Sequence, residues 1–159
     1  MQTERRDPVN LTLRAIDDTN LDAVLALEVS PQQAQYIASN KKSLDTANAE
    51  EYREIARPFA IYADETPVGF TMFAFDLTSA DPNDRYWLWR LMIGRDFQGR
   101  GYGAAALEII LDYFRRHGAD HILLSTKETN TAALALYHKY RFAETGEMNE
   151  NETVLRLQL

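Results

Sequence analysis

Gly94-Arg95-Asp96-Phe97-Gln98-Gly99-Arg100-Gly101-Tyr102-Gly103-Ala104-Ala105 joins two segments of different periodicity. Before it, Tyr86-Trp87-Leu88-Trp89-Arg90-Leu91-Met92-Ile93 is nearly continuous apolar, as in a strand buried on both faces. After it, Leu107, Ile110, Leu111 and Phe114 recur at i, i+3, i+4, i+7, with Glu108, Asp112, Arg115 and Arg116 elsewhere, which predicts an amphipathic helix. The glycines therefore precede a helix N-terminus. There the first N–H groups lack intrahelical acceptors and the macrodipole is positive, so the loop suits a phosphate. Glycine at 99, 101 and 103 leaves no Cβ to hold an anion off those amides, and Arg95 and Arg100 add positive charge.

A P-loop needs Lys-Ser or Lys-Thr after its last glycine, and Ala104-Ala105 stand there. A dinucleotide fingerprint fits better, since Gly99, Gly101 and Ala104 match its spacing and Glu128 lies near the end of the next strand. The chain beyond the main helix is too short for a doubly wound domain, with only one strand, one short helix and a terminal hairpin. A glycine-rich turn that binds nothing is the plain alternative.

Gln98-Gly99-Arg100-Gly101-Tyr102-Gly103 matches the Gln/Arg-x-x-Gly-x-Gly/Ala signature of the GNAT family of N-acetyltransferases, and the chain resembles that family along nearly its whole length. The resemblance implies a mixed α/β (α+β) fold with a mostly antiparallel sheet of six to seven strands, a splayed parallel central pair and flanking helices. It implies a single N-acetyltransferase domain over residues 1–159, with acetyl-CoA as co-substrate and its pyrophosphate on the loop amides of Gln98, Gly99, Arg100, Gly101, Tyr102 and Gly103.

The chain has 159 residues, 45% hydrophobic and 11% aromatic, enough for a buried core. No apolar run approaches a membrane span and no secretory leader pattern opens the chain, so a cytoplasmic protein is expected. Zero cysteines exclude disulfides and thiolate chemistry. His117, His121 and His138 lack the spacing of a ligand set, so no metal is expected. The net charge of −7 disfavours nucleic acid and favours a cationic substrate.

Along the chain, polar residues lead into a strand from Leu11 to Ile16, then a helix capped by Asp18 or Thr19. Ser30-Pro31 starts a second helix to about Asn40, and Ala47 to Ala56 reads as a third, ended by Pro58. Phe59 to Ala63 and Val68 to Phe75 form a hairpin; a loop then leads to Tyr86. The main helix ends near His117 with Gly118 as its C′ residue. His121 to Ser125 is a strand and Asn130 caps a helix to Tyr140. Phe142 to Thr145 and Thr153 to Leu159 close a hairpin around residues 148–151.

The resemblance gives these positions chemical roles. Backbone groups of Leu91, Met92 and Ile93 would meet the pantetheine amides and polarise the thioester carbonyl, a role independent of side chain. Asn130 would contact pantetheine, and Tyr137 would protonate the departing thiolate. On a helical pattern Asn130 and Tyr137 share a face, where Tyr137 also reads as ordinary packing. The family's closing Tyr-x-x-x-Gly-Phe appears here as Tyr137 to Phe142 with Arg141 in place of glycine. No general base stands out; Glu28 and Asp76 are candidates by position.

For the acceptor, Val29-Ser30-x-x-Gln33-x-x-Tyr36-Ile37 and the later Trp87-Leu88-x-Arg90 resemble the bacterial spermine/spermidine (diamine) N-acetyltransferases. This implies a small-molecule amine such as spermidine or spermine, lined by Glu28, Tyr36 and Trp89. Trp89 replaces an acidic residue of some relatives and offers a cation–π face instead. Another amine, an aminoglycoside, an amino acid, a protein N-terminus or a non-catalytic acyl-CoA sensor are the competing readings. A homodimer is an open expectation.

Overall fold

The computed structural model describes residues 10–159; the N-terminal residues expected to fray lie outside them. The order is β1 (Leu11–Ala15), α1 (Leu21–Ala26), α2 (Asn40–Asn48), β2 (Ala56–Ala63), β3 (Thr66–Phe75), β4 (Tyr86–Ile93), α3 (Tyr102–Arg116), β5 (His121–Thr126), α4 (Thr131–Lys139), β6 (Ala143–Asn149) and β7 (Glu152–Gln158). Among the described residues seven strands form one sheet in the order β1-β2-β3-β4-β5-β7-β6, in which only β4 and β5 are parallel neighbours. This is the mostly antiparallel sheet with one parallel pair that the resemblance implies.

Helices cover both faces. Leu107, Ile110, Leu111 and Phe114 of α3 pack on Phe73, Phe75 and Leu88, and Phe114 meets both phenylalanine rings at 4.9 Å. On the other face Val24 of α1 and Leu44 and Ala47 of α2 pack on Phe70, Met72 and Met92. The strand buried on both faces is β3, from Val68 to Phe75. In β4 only Leu88, Met92 and Ile93 are buried, and its half-buried Trp87, Trp89, Arg90 and Leu91 line a cleft.

The segment between α1 and β2 departs from the helices expected there. Ser30 and Gln33 form a capping box, Ser30 N donating to Gln33 Oε1 at 3.2 Å and Gln33 N to Ser30 Oγ at 3.4 Å. The start signal is real, yet only a 3₁₀ turn, Gln33–Gln35, comes after it. Gln32, Gln33 and Gln35 offer no apolar face to hold a longer helix. The helix begins instead at Asn40, where the Ser39 side chain accepts from Lys42 N, and it ends at Asn48. The expected helix from Ala47 to Ala56 is replaced by turns, and Ala56 already opens β2. Pro58 is tolerated inside β2 because β1 stops opposite Phe59, leaving an open edge. At α1 the N-cap position belongs to Asn20, rather than Asp18 or Thr19, and its amide ties Ala15 O to Asp17 N.

The last hairpin is longer than expected, with its turn at residues 150–151. Gly146, at φ +85°, lies within a register shift between Glu144 and Met148, which lets an all-exposed strand stay paired to β7. Gly118 ends α3 with φ +84°, as read from the sequence. At the end of α4, Arg141 keeps the left-handed turn with φ +71°. Phe142 N donates to Tyr137 O at 3.0 Å and Arg141 N to His138 O at 3.0 Å, a Schellman motif. Arg141→Gly relieves a Cβ penalty of about 1 kcal/mol, less a share lost to the freer unfolded chain. The expected gain is about 0.5 kcal/mol, or ~1–2 °C in Tm by thermal unfolding. A lower Tm would contradict a strained turn.

Candidate active site

β4 and β5 share a single register pair, Trp87↔Leu123, whereas β4 pairs with β3 along most of its length. A bulge in β4 skips Trp89 in that pairing: Met72 faces Arg90 while Phe73 faces Leu88. Thr71 Oγ1 donates to the carbonyl of Arg90 at 2.7 Å and satisfies the disturbed backbone. The bulge puts two successive side chains on the side of α1 and α2. Trp89 meets Tyr52 edge-on at 5.5 Å, and Arg90 Nε donates to Ser43 Oγ at 3.3 Å. Beyond Trp87 the two strands diverge, so the Leu91–Ile93 side of β4 faces a gap instead of a neighbouring strand.

That gap is part of a cleft of about 680 Å³. Leu91, Met92 and Ile93 form its β4 wall, with Asn130 and Tyr137 from the α4 side and Gln98 and Gly103 at the loop end. Tyr36 and Trp89 line its other part, beside Tyr52 and Trp87. The structure does not bring Glu28 into this company. Glu28 lines a separate indentation against Arg95 and Phe97, and its carbonyl accepts from Arg95 N at 2.8 Å. Asp76 also lies outside the cleft lining and bonds to Thr78.

At the loop end, Gly99 and Gly101 have φ of +77° and +82°, conformations that turn the chain into α3. The first helical bond is Ala105 N to Gly101 O at 3.1 Å, and Gly101 supplies no side-chain cap. Among the described residues no protein acceptor serves the N–H groups from Gly99 to Ala104. A Cβ built on Gly99, Gly101 or Gly103 would enter open space, so nothing in the protein fills the ground above these amides. Amides left free in this way at a helix N-terminus suit an anion. Arg100 lies beside it, its guanidinium 5.7 Å from the Phe97 ring centroid, and Tyr102 packs into the core beside Ile93.

Gln98 is a clasp. Its Nε2 donates to Ile93 O and to Gln33 Oε1, both at 2.9 Å, and its Oε1 accepts from Gln33 Nε2 at 3.1 Å. The Ser30–Ala38 segment is thereby tied to the end of β4. Its far end is held by Tyr36, whose hydroxyl donates to Thr129 O at 3.2 Å, and by Lys127, which donates to Gln35 O at 3.2 Å. The segment straps the cleft from the α1 side to the β5–α4 loop.

Asn130 occupies the N-cap position of α4, but caps only through its backbone. Its carbonyl accepts from Leu134 N at 3.1 Å, while its Nδ2 turns back to Thr126 Oγ1 at 3.4 Å. Tyr137 is half-buried, edge-on to Phe142 at 5.6 Å, and its hydroxyl has no hydrogen-bond partner among the described residues. Burial pushes its phenol up to about 12, because the phenolate would lose water. Tyr140 anchors the same helix, donating to Glu108 Oε1 at 2.8 Å.

Three further residues of the cleft carry chemistry that the sequence did not assign to them. Gln33 was legible in the Ser-x-x-Gln box, and Arg90 as the lone charge in an apolar strand. Burial pulls the Arg90 guanidinium below its usual value, and the Glu152 carboxylate acts in the opposite direction. Glu152, the first residue of β7, carries no local signal at all; topology alone brings it here. Among the described residues no group of three His, Cys, Asp or Glu stands together as a metal site, and no helix is long and apolar enough to cross a membrane.

The model of the acetyltransferase (GNAT) family matches residues 21–142. The spermine/spermidine N(1)-acetyltransferase of Bacillus subtilis (strain 168) is 31% identical over 146 residues, covering 90% of this chain and 94% of that protein. The [ribosomal protein bS18]-alanine N-acetyltransferase of Escherichia coli (strain K12) is 26% identical over 133 residues, 84% of this chain and 81% of that protein. Among solved structures, spermidine N-acetyltransferase from Vibrio cholerae in complex with CoA and spermine superposes with a TM-score of 0.68 at 21% identity, covering 94% of each chain. At that identity the superposition speaks for the fold, whereas the family match and the alignment over 90% of the sequence settle descent: the chain belongs to the acetyltransferase (GNAT) family and is an N-acetyltransferase.

Proposed function

We propose that the chain transfers the acetyl group of acetyl-CoA to a polyamine, spermidine or spermine, by direct attack of a primary amine on the thioester. The observation that carries the co-substrate is the row of amides from Gly99 to Ala104 without a protein acceptor, at the end of a cleft walled by unpaired backbone of β4. The amides and Arg100 would hold the pyrophosphate, Leu91 to Ile93 the pantetheine amides, and Tyr137 would deliver a proton to the departing sulfur. Bound there, acetyl-CoA supplies an activated acyl carbon.

The polyamine reading rests on the 31% identity to a relative named for spermine and spermidine, and on a cleft that joins aromatic faces to carboxylates. Tyr36, Tyr52, Trp87 and Trp89 offer apolar and cation–π surface to methylene and ammonium groups, with Glu150 and Glu152 at the β6–β7 turn. The chain as a single domain acting in the cytoplasm belongs to the same proposal. Self-association into a homodimer is a separate question, answered by the mass in solution.

The test is thiol release from acetyl-CoA across polyamines, aminoglycosides, amino acids and N-terminal peptides. Spermidine or spermine is expected to give the highest kcat/KM, falling with ionic strength more steeply than for a monoamine, because salt screens each added charge. A protein N-terminal peptide or amino acid that clearly exceeds both polyamines would move the assignment to that acceptor.

A further inference from the structure

We propose that Glu152 is the general base of this cleft, taking the proton an ammonium acceptor must lose before attack, with Ser125 fixing its carboxylate. The inference rests on acetyl transfer to an amine in this cleft and not on that amine being a polyamine.

The groups lining the cleft leave few alternatives. Among the described residues its acidic groups are Glu150 and Glu152, its cation is Arg90, and its tyrosines are Tyr36, Tyr52 and Tyr137. No histidine reaches it: His117 bonds to Tyr113 O, His121 lies between Asp120 and Asn83 O, and His138 meets Glu144. Glu150 is exposed at the turn with φ +54°. Glu152 is half-buried and directed by a contact, Ser125 Oγ donating to Oε1 at 3.4 Å. Ser125 and Thr126 end β5 on the open side of the parallel pair, and Thr126 registers with Thr153, the residue after Glu152. The carboxylate therefore stands where the β4–β5 gap meets the aromatic part of the cleft.

Proton transfer from an ammonium to a carboxylate is uphill by roughly six pH units in water. Attack on the thioester consumes the neutral amine as it forms, which draws the transfer forward. Arg90 faces Glu152 from β4 without an ion pair within 4 Å. Its charge favours the carboxylate but disfavours the ammonium, so its two effects on the transfer oppose each other. Glu150 in the adjoining turn and the tyrosines of the other walls are the remaining titratable neighbours.

The nitrogen gives up two protons between ammonium and amide. The first goes to Glu152, freeing the lone pair that forms the C–N bond as the C–S bond breaks. The second balances the proton that Tyr137 gives to sulfur, and Glu152 returns its own to solvent, so one proton is released per turnover.

The experiment compares kcat/KM for the amine in wild type and Glu152→Gln from pH 6.5 to 10, with whichever amine of the panel is turned over fastest. At pH 7 the variant is expected to fall about 10²-fold, and the gap to narrow steadily as neutral amine becomes abundant in solution. An unchanged acetyl-CoA thermal shift marks the variant as folded and loaded. A variant within about 3-fold of wild type at pH 7, or a deficit that does not vary with pH, overturns the base. Should the glutamine variant not fold, Glu152→Asp carries the test, with kcat lowered about 10-fold, KM for acetyl-CoA unchanged and the pH profile retained; a wild-type kcat overturns the proposal. Failure of spermidine in the panel while another amine obeys these rules removes the polyamine reading and leaves Glu152 in place.

Discussion

Tyr137→Phe is expected to lower kcat by about 10²- to 10³-fold while leaving the affinity for acetyl-CoA close to wild type. The ring is edge-on to Phe142 and lines the cleft, and its hydroxyl has no partner among the described residues, so phenylalanine keeps the packing and loses only the proton. With its phenol pushed up to about 12, Tyr137 stays protonated through the range in which enzymes are assayed. The same burial that weakens it as an acid also raises the basicity of a thiolate formed in the slot, so the match between donor and acceptor is kept. The acid form is lost only as pH rises through about 12, and no alkaline fall in kcat below about pH 11 belongs to this residue. Single-turnover measurement, with chemistry isolated from product release, reads the effect. An unchanged rate there would return Tyr137 to a packing role.

The features legible in the sequence were the local ones. The glycine loop announces itself because φ above zero and a missing Cβ leave few residue choices, and the α3 face because a 3.6-residue period over fifteen residues is hard to mimic. The helix at Asn40–Asn48 was missed because its buried face is Asn40, Ser43, Leu44 and Ala47, too polar to show a period. Its cap, Ser39, lies inside the stretch that Ser30-Pro31 marks as an ongoing helix. The strand read at Phe142 to Thr145 runs on to Asn149, an extension that no alternation marks because none of its residues is buried. The cleft was half legible for the same reason. Gln98 and Gly103 belong to a motif, whereas Glu152 and Tyr52 reach the cleft only because seven strands and a strap are arranged around it. Glu28 shows the converse error: adjacency in sequence to the strap suggested the acceptor side, but its carbonyl is engaged by Arg95 on the far side of Gly94.

Gly101→Asp is expected to abolish most acetyl-CoA binding, with a dissociation constant raised about 10²-fold or more. The substitution does not clash within the protein, because a Cβ at this position meets no atom within 4 Å. It fails for two other reasons. The new carboxylate stands at the N-terminus of α3 and competes for the amides from Gly99 to Ala104, and it repels a pyrophosphate approaching the same row. The left-handed φ of +82° adds about 1 kcal/mol of strain, which a carboxylate near the orphan N–H groups partly offsets. Stability without ligand should therefore change little, and the loss appears in the response to ligand. At a concentration 100 times the wild-type dissociation constant, acetyl-CoA stabilises the wild type by about 2.7 kcal/mol, but a variant binding 100-fold more weakly by only about 0.4 kcal/mol. Thermal-shift titration separates these values. Equal stabilisation of the two proteins would place the pyrophosphate elsewhere, while a lowered Tm already present without ligand would make the φ strain the larger effect.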